Sequence, residues 1–257
     1  MHEGHYEGAR AAADEVLWHN PEEIRAARIS ADSFIAQKQP RKAVERLAEL
    51  AQGHPRSAPL QNLLAQYYLA SGRPAQARQA LEAAKAADAN FIQADLALAG
   101  IDYQEKHLDQ ARLHLVTVLS IDPRNVQALL TEAGIDSETG NRDGAITEYR
   151  AVLDADGTNL FALNNLAWIL ATDRPDEALK YAQQAAELAP DDPTVQDTLG
   201  WIYYRKGVYK TAVRYLKTAV AKEATPRRQF HLAMSYIKAG DRDLGQKTLN
   251  AALQERS

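Results

Sequence analysis

The chain has 257 residues, 46% of them hydrophobic, a formal net charge of −4 and no cysteine. That balance excludes disulfide frameworks and thiolate metal sites, and it makes no global demand for nucleic acid. No apolar run approaches the roughly 18–20 residues of a membrane span, so direct membrane insertion is not expected.

Pro21, Pro55, Ala89, Pro123, Gly157, Pro190, Ala224 and Ser257 share one phase, with successive steps of 34, 34, 34, 34, 33, 34 and 33 residues. A fixed period of this size belongs to a stacked array in which each unit contacts its neighbours. Abundant alanine and the absence of clustered strand-formers make it all-α. The chain divides into a half unit at 1–23 and full units at 24–57, 58–91, 92–125, 126–159, 160–192, 193–225 and 226–257, read as one domain over 1–257.

In the half unit, Gly4, Tyr6, Ala9, Ala13, Val16 and Pro21 match the second half of the repeat. An excised piece of a longer array explains this better than a natural cap. In 58–91, Leu60, Leu63, Leu64, Tyr67 and Tyr68 recur at helical spacing. Ser71-Gly72-Arg73-Pro74 breaks the pattern, and Ala77, Ala80, Leu81 and Ala84 resume it. Each unit is therefore helix A, a tight turn and helix B. Gly72, Gly140, Gly207 and Gly240 mark left-handed caps after helix A. Pro40, Pro74 and Pro175 start helix B, where a missing N–H costs little, and Asp192-Pro193 starts a helix A. Small residues recur in mid helix A (Ala31, Ala65, Ala99, Ala133, Ala167, Gly200, Ala233) and early helix B (Ala43, Ala77, Ala111, Ala145, Ala178, Ala212). They allow close backbone approach. In the middle, Ala99-Gly100-Ile101-Asp102 recurs as Ala133-Gly134-Ile135-Asp136. The duplication places an aspartate near the A/B interface, where burial requires a partner. The unit 160–192 is one residue short at Thr172-Asp173-Arg174. The last helix mixes Gln246, Lys247 and Asn250 with Leu244, Leu249 and Leu253, a face suited to closing a stack.

Leu199-Gly200, Tyr203, Gly207, Tyr209, Ala212, Leu216 and Ala219 in 193–225 carry a family resemblance. The chain resembles a tetratricopeptide repeat (TPR) array, similar to bacterial multi-TPR proteins. The resemblance implies a right-handed superhelix of antiparallel helix pairs, a solenoid whose concave face is built by helix A. It further implies a non-catalytic scaffold that binds a protein or peptide in that groove.

On the implied inner face, Trp168 and Trp201 share a phase in adjacent units and are expected side by side. Tyr204, Phe161, Phe230 and Met234 extend the aromatic patch. Asn164, Asp197 and Arg205 are its polar readout groups. Aromatic anchors dominate interface energy. The carboxylate-clamp set of chaperone-tail TPRs is missing, with Asn62, Asn164, Asn165 and Arg227 matching only in isolation.

No catalytic residue, metal site or cofactor is indicated. The phosphate loop, His-Glu-x-x-His, calcium loop and Gly-x-Ser-x-Gly patterns are all missing. The histidines read as surface residues, with His2 and His5 in a frayed terminus and a turn between His107 and His114. Residues 193–257 hold 12 Lys/Arg and 5 Asp/Glu, a net of +7, against 7 and 19 for 86–192, a net of −12. Lys206, Lys210, Arg214, Lys217 and Lys222 spread around their helix rather than forming a nucleic-acid stripe. Two alternatives to the groove scaffold stand. One is a homo-oligomer through the repeat ends. The other is an accessory subunit of a bacterial envelope assembly for secretion or polysaccharide export. Met1-His2-Glu3-Gly4-His5 does not read as a signal peptide, and both cytoplasm and periplasm fit.

Overall fold

A computed structural model describes residues 3–254. Met1, His2 and the last period position, Ser257, lie outside them. Among the described residues there are fifteen helices and no strand. The chain divides into two compact units, Met1–Pro123 and Arg124–Ser257.

The first unit holds α1 (Glu3–His19), α2 (Ile24–Ala36), α3 (Pro40–Gly53), α4 (Ala58–Ala70), α5 (Pro74–Ala87), α6 (Ile92–Gln104) and α7 (Leu108–Ile121). The second holds α8 (Val126–Thr139), α9 (Arg142–Ala155), α10 (Leu160–Leu170), α11 (Pro175–Leu188), α12 (Pro193–Arg205), α13 (Tyr209–Lys222), α14 (Pro226–Ala239) and α15 (Arg242–Gln254). Within each unit every helix packs on the next, and A helices also touch one another: α2 with α4, α10 with α12, α12 with α14. Seven helix pairs and the single α1 give about seven and a half TPR-type repeats, stacked in solenoid fashion within each unit. No described helix is long and apolar enough to cross a membrane.

The small residues sit where helices cross. Ala31, Ala65, Ala99, Ala133, Ala167 and Ala233 of the A helices, and Ala43, Ala77, Ala111, Ala145, Ala178 and Ala212 of the B helices, are all 0% exposed. Gly200 takes this position in α12 because α13 comes closer still. A Cβ built there would stand 2.6 Å from Leu216 Cγ and 3.2 Å from the Leu216 backbone nitrogen.

Helix ends follow local chemistry. Prolines open α3, α5 and α11. Gly72, Gly140, Gly207 and Gly240 have φ of 69°, 78°, 78° and 102°. The same turn in the units 24–57 and 92–125 is made by Lys38 (φ 59°) and Lys106 (φ 64°). An L-residue held there costs about 1 kcal/mol. Two histidine expectations are corrected here. His5 lies inside α1, not in a frayed terminus. No turn separates His107 from His114, because His107 is the residue before α7 and His114 lies within it.

Gly200→Ala tests the close crossing of α12 and α13. Alanine gains about 1 kcal/mol of helix propensity, but overpacking typically costs about 1–3 kcal/mol. A net loss of about 1 kcal/mol is expected in urea unfolding, whereas relief of a merely flexible glycine would raise stability.

Candidate partner-binding groove

Side-chain caps set the register of the inner helices in the second unit. Asn159 accepts from the Ala162 amide (3.0 Å), Asp192 from the Thr194 and Val195 amides (2.7 and 3.1 Å) and Thr225 from the Arg228 amide (3.3 Å). Each cap fixes where its helix begins. Asn164, Asp197 and Phe230 each fall five residues after their cap, and Trp168, Trp201 and Met234 nine residues after. Equivalent positions of α10, α12 and α14 are therefore brought to one level.

The tryptophans meet through a histidine. Trp201 stacks on His231 with ring centroids 4.2 Å apart, and Trp168 lies 5.8 Å from the same imidazole. On its own helix Trp201 stacks on Tyr204 at 4.6 Å and 10° between planes. Tyr204 also leans on Tyr209, and Phe230 on His231. His231 is 5% exposed, and its Nδ1 lies 2.8 Å from Asp197 Oδ1. This corrects the expectation of a surface histidine. His114 departs from it too, packed 2.6 Å from the buried Asp95.

Each expected groove residue has a definite setting. Trp168, Trp201, Tyr204 and Met234 are half-buried, Phe230 is exposed at 43%, and Arg205 is exposed at the end of α12. Asn164 is half-buried, with its Oδ1 atom buried and without a hydrogen bond. Asp197 is not displayed at the surface: it is 0% exposed, so it acts first by holding His231. Arg227 reaches over Trp168, with Cζ 5.4 Å from the ring centroid.

A groove of about 560 Å³ opens beside the stack. Trp168 and Trp201 form one wall, and Tyr149, Arg142 and Asp136 come from α9 and α8. Arg142 fixes the rim by donating to the Ile169 carbonyl at 2.6 Å and pairing with Asp173 in the shortened turn. This helix-B contribution was missed from sequence, as was His231. His231 lies 34 residues after Asp197, one residue past the equivalent position Phe230, so the repeat phase alone did not single it out. Thr194 and Arg228 meet across the same 34-residue offset, at 3.0 Å.

A second polar cluster lies in the first unit. Asp102, whose burial called for a partner, receives Arg78 at 2.7 Å, and the same guanidinium donates to Glu105 at 2.9 Å. Asp95 receives Lys85 at 2.5 Å. Asp102, Glu105 and His107 bring one ligand atom each within 4.8 Å of one another. Arg78 already donates to both carboxylates, so a guanidinium stands where a metal cation would.

In sequence, residues 34–101 and residues 136–193 each match a Tetratricopeptide repeat profile. The chain is a tetratricopeptide repeat protein. The TPR repeat-containing protein PA4667 of Pseudomonas aeruginosa is 44% identical over 63 residues, which is 24% of this chain and 11% of that protein. Among solved structures, a tetratricopeptide repeat protein of Parabacteroides merdae superposes with a TM-score of 0.65 at 14% identity, over 90% of this chain and 92% of its own. YrrB, a TPR protein with an unusual peptide-binding site, superposes with a TM-score of 0.60 at 17% identity, over 69% of this chain and 92% of its own. The TPR fold is in general a protein-interaction scaffold.

Glu148 on α9 carries a cost of this acidic neighbourhood. Burial raises its pKa, and the charges of Glu132 and Asp136 raise it further. A carboxylate with a folded pKa above its unfolded value loses stability as pH rises through that interval. Glu148→Gln is therefore expected to raise the melting temperature at pH 7. The gain should vanish below about pH 4, the ordinary glutamate range. Equal gains at both pH values would refute the ionisation account.

Proposed function

We propose that this TPR protein is a non-catalytic scaffold that holds an extended segment of another protein in the groove beside α10 and α12. The observation that carries this reading is the groove of about 560 Å³ whose wall is Trp168 and Trp201. Outside its lining, Phe161 of α10 is 57% exposed and Phe230 of α14 is 43% exposed. Half-buried aromatic rings beside polar groups have the composition of interface anchors. YrrB, a TPR protein with an unusual peptide-binding site, supports peptide binding on the same fold.

The choice of variant follows from the stack. Trp201 packs on the buried His231, so its removal disturbs the core as well as the groove. Trp168→Ala and Phe230→Ala are cleaner. Nine-residue peptides selected by phage display on the native protein are expected to lose roughly 30-fold in affinity for Trp168→Ala, the loss of one hot-spot aromatic. Far-UV circular dichroism should be unchanged. Selected peptides indifferent to both substitutions would show that the groove is not the binding surface.

A second reading has its own observation. On α1, Trp18 is 83% exposed and Val16 is 45% exposed, a pairing suited to self-association through that helix. Light scattering should then give a mass that rises with concentration and falls to that of the monomer in Trp18→Ser. A constant monomer mass for the native chain sinks this reading.

A further inference from the structure

Two buried acceptors on the groove helices have no hydrogen bond. One is Asn164 Oδ1 on α10 and the other is Asp197 Oδ2 on α12, at the same phase of adjacent repeats. Buried acceptors, and buried carboxylate oxygens above all, are ordinarily satisfied. The other Asp197 oxygen is taken by His231. What the pair lacks is a donor.

Arg227 already approximates that donor. Its guanidinium lies over the face of Trp168, with Cζ 5.4 Å from the ring centroid, and its Nη2 stands 3.6 Å from Asp197 Oδ2. That separation is too long for a hydrogen bond. The side chain is 57% exposed. An exposed arginine of the protein itself thus rests between an indole face and an unsatisfied carboxylate oxygen without closing the contact.

We infer that this place is a seat for an arginine side chain of the bound partner, and that Arg227 occupies it until the partner arrives. The inference rests on the groove reading above and names the chemistry that the groove selects. A guanidinium stacks on an aromatic face and donates in its plane, which a lysine ammonium does not do. Its planar N–H groups are matched to a carboxylate oxygen. An acidic side chain would bring a further acceptor to two that lack donors. The surroundings agree: residues 124–192 hold 13 Asp/Glu against 5 Lys/Arg, a net of −8. Of the 12 Lys/Arg in 193–257, Lys210, Arg214, Lys217 and Lys222 are exposed on α13.

The test uses gain of binding, which unfolding cannot mimic. Two fluorescein-labelled nine-residue peptides of Ala, Ser and Leu carry either a central arginine or a central citrulline, which keeps the shape and removes the charge. Both are titrated by anisotropy into the native protein, Arg227→Ala, Arg205→Ala and Trp168→Ala. Arg227→Ala is expected to bind the arginine peptide roughly tenfold more tightly than the native protein. The citrulline peptide should show no such gain. Arg205→Ala removes the same charge at the end of α12 and should give a clearly smaller gain, which separates a vacated seat from general electrostatics. Asp197→Asn added to Arg227→Ala should cancel the gain, with circular dichroism checking its fold. No gain in Arg227→Ala, or an equal gain for citrulline or in Arg205→Ala, overturns the arginine seat. If both peptides bind alike and both need Trp168, the seat falls and the groove stands. If neither binds any variant, the seat falls too, and the phage selection alone decides the groove.

Discussion

The crossing of helices over alanine sets everything else in this protein. Wherever an A helix meets a B helix, the contact position carries a side chain of one carbon or none, and that position has no exposure. Larger side chains there would push the axes apart, since interaxial distance follows the residues at the contact. The regular crossing makes each repeat a copy of the last. A residue then faces a side chain one residue past its counterpart in the next A helix, 34 residues on where the caps of α12 and α14 are 33 apart. Asp197 meets His231 and Thr194 meets Arg228 for this reason, each across 34 residues of sequence.

Onto this apolar frame the protein places the buried acids Asp95, Asp102 and Asp197, each with a cation or a histidine from another helix. In the first unit, Arg78 and Lys85 of α5 reach Asp102 and Asp95 of α6, and His114 of α7 closes on Asp95. In the second, Asp197 of α12 takes His231 of α14. Pairs of this kind add little net stability, because desolvation offsets their attraction. Their geometry is demanding, however, and a slipped helix would strand a charge. They therefore act as register pins between repeats that would otherwise pack on alanine and leucine alone.

The features legible in the sequence were those fixed within one repeat. The period, the helix–turn–helix unit, the prolines opening α3, α5 and α11, and the glycines with positive φ depend on local backbone chemistry, which residue types report directly. Lys38 and Lys106 show the limit, because the turn keeps its left-handed shape after the glycine has gone. The candidate site was harder to see. The phase of Trp168 and Trp201 brought them to one wall of one groove. That His231 lies between them, and that Asp197 is buried beneath rather than presented, depend on side chains one repeat away and on their rotamers. A histidine looks the same in sequence whether it is solvated or stacked.

The stacking of Trp201 has a thermodynamic consequence. With His231 at 4.2 Å and Tyr204 at 4.6 Å, its indole has little rotamer freedom left. Ordering a mobile side chain at an interface costs about 0.5–1.5 kcal/mol. This ring is already ordered by its neighbours, so a partner in the proposed groove would not bear that cost for it. The same rigidity narrows the choice of shapes. A wall that does not repack discriminates between ligands, whereas flexible methionine-rich surfaces adapt to many. The groove proposed as the binding surface is therefore pre-formed at this wall, and as such it would trade breadth of partners for fidelity to a few.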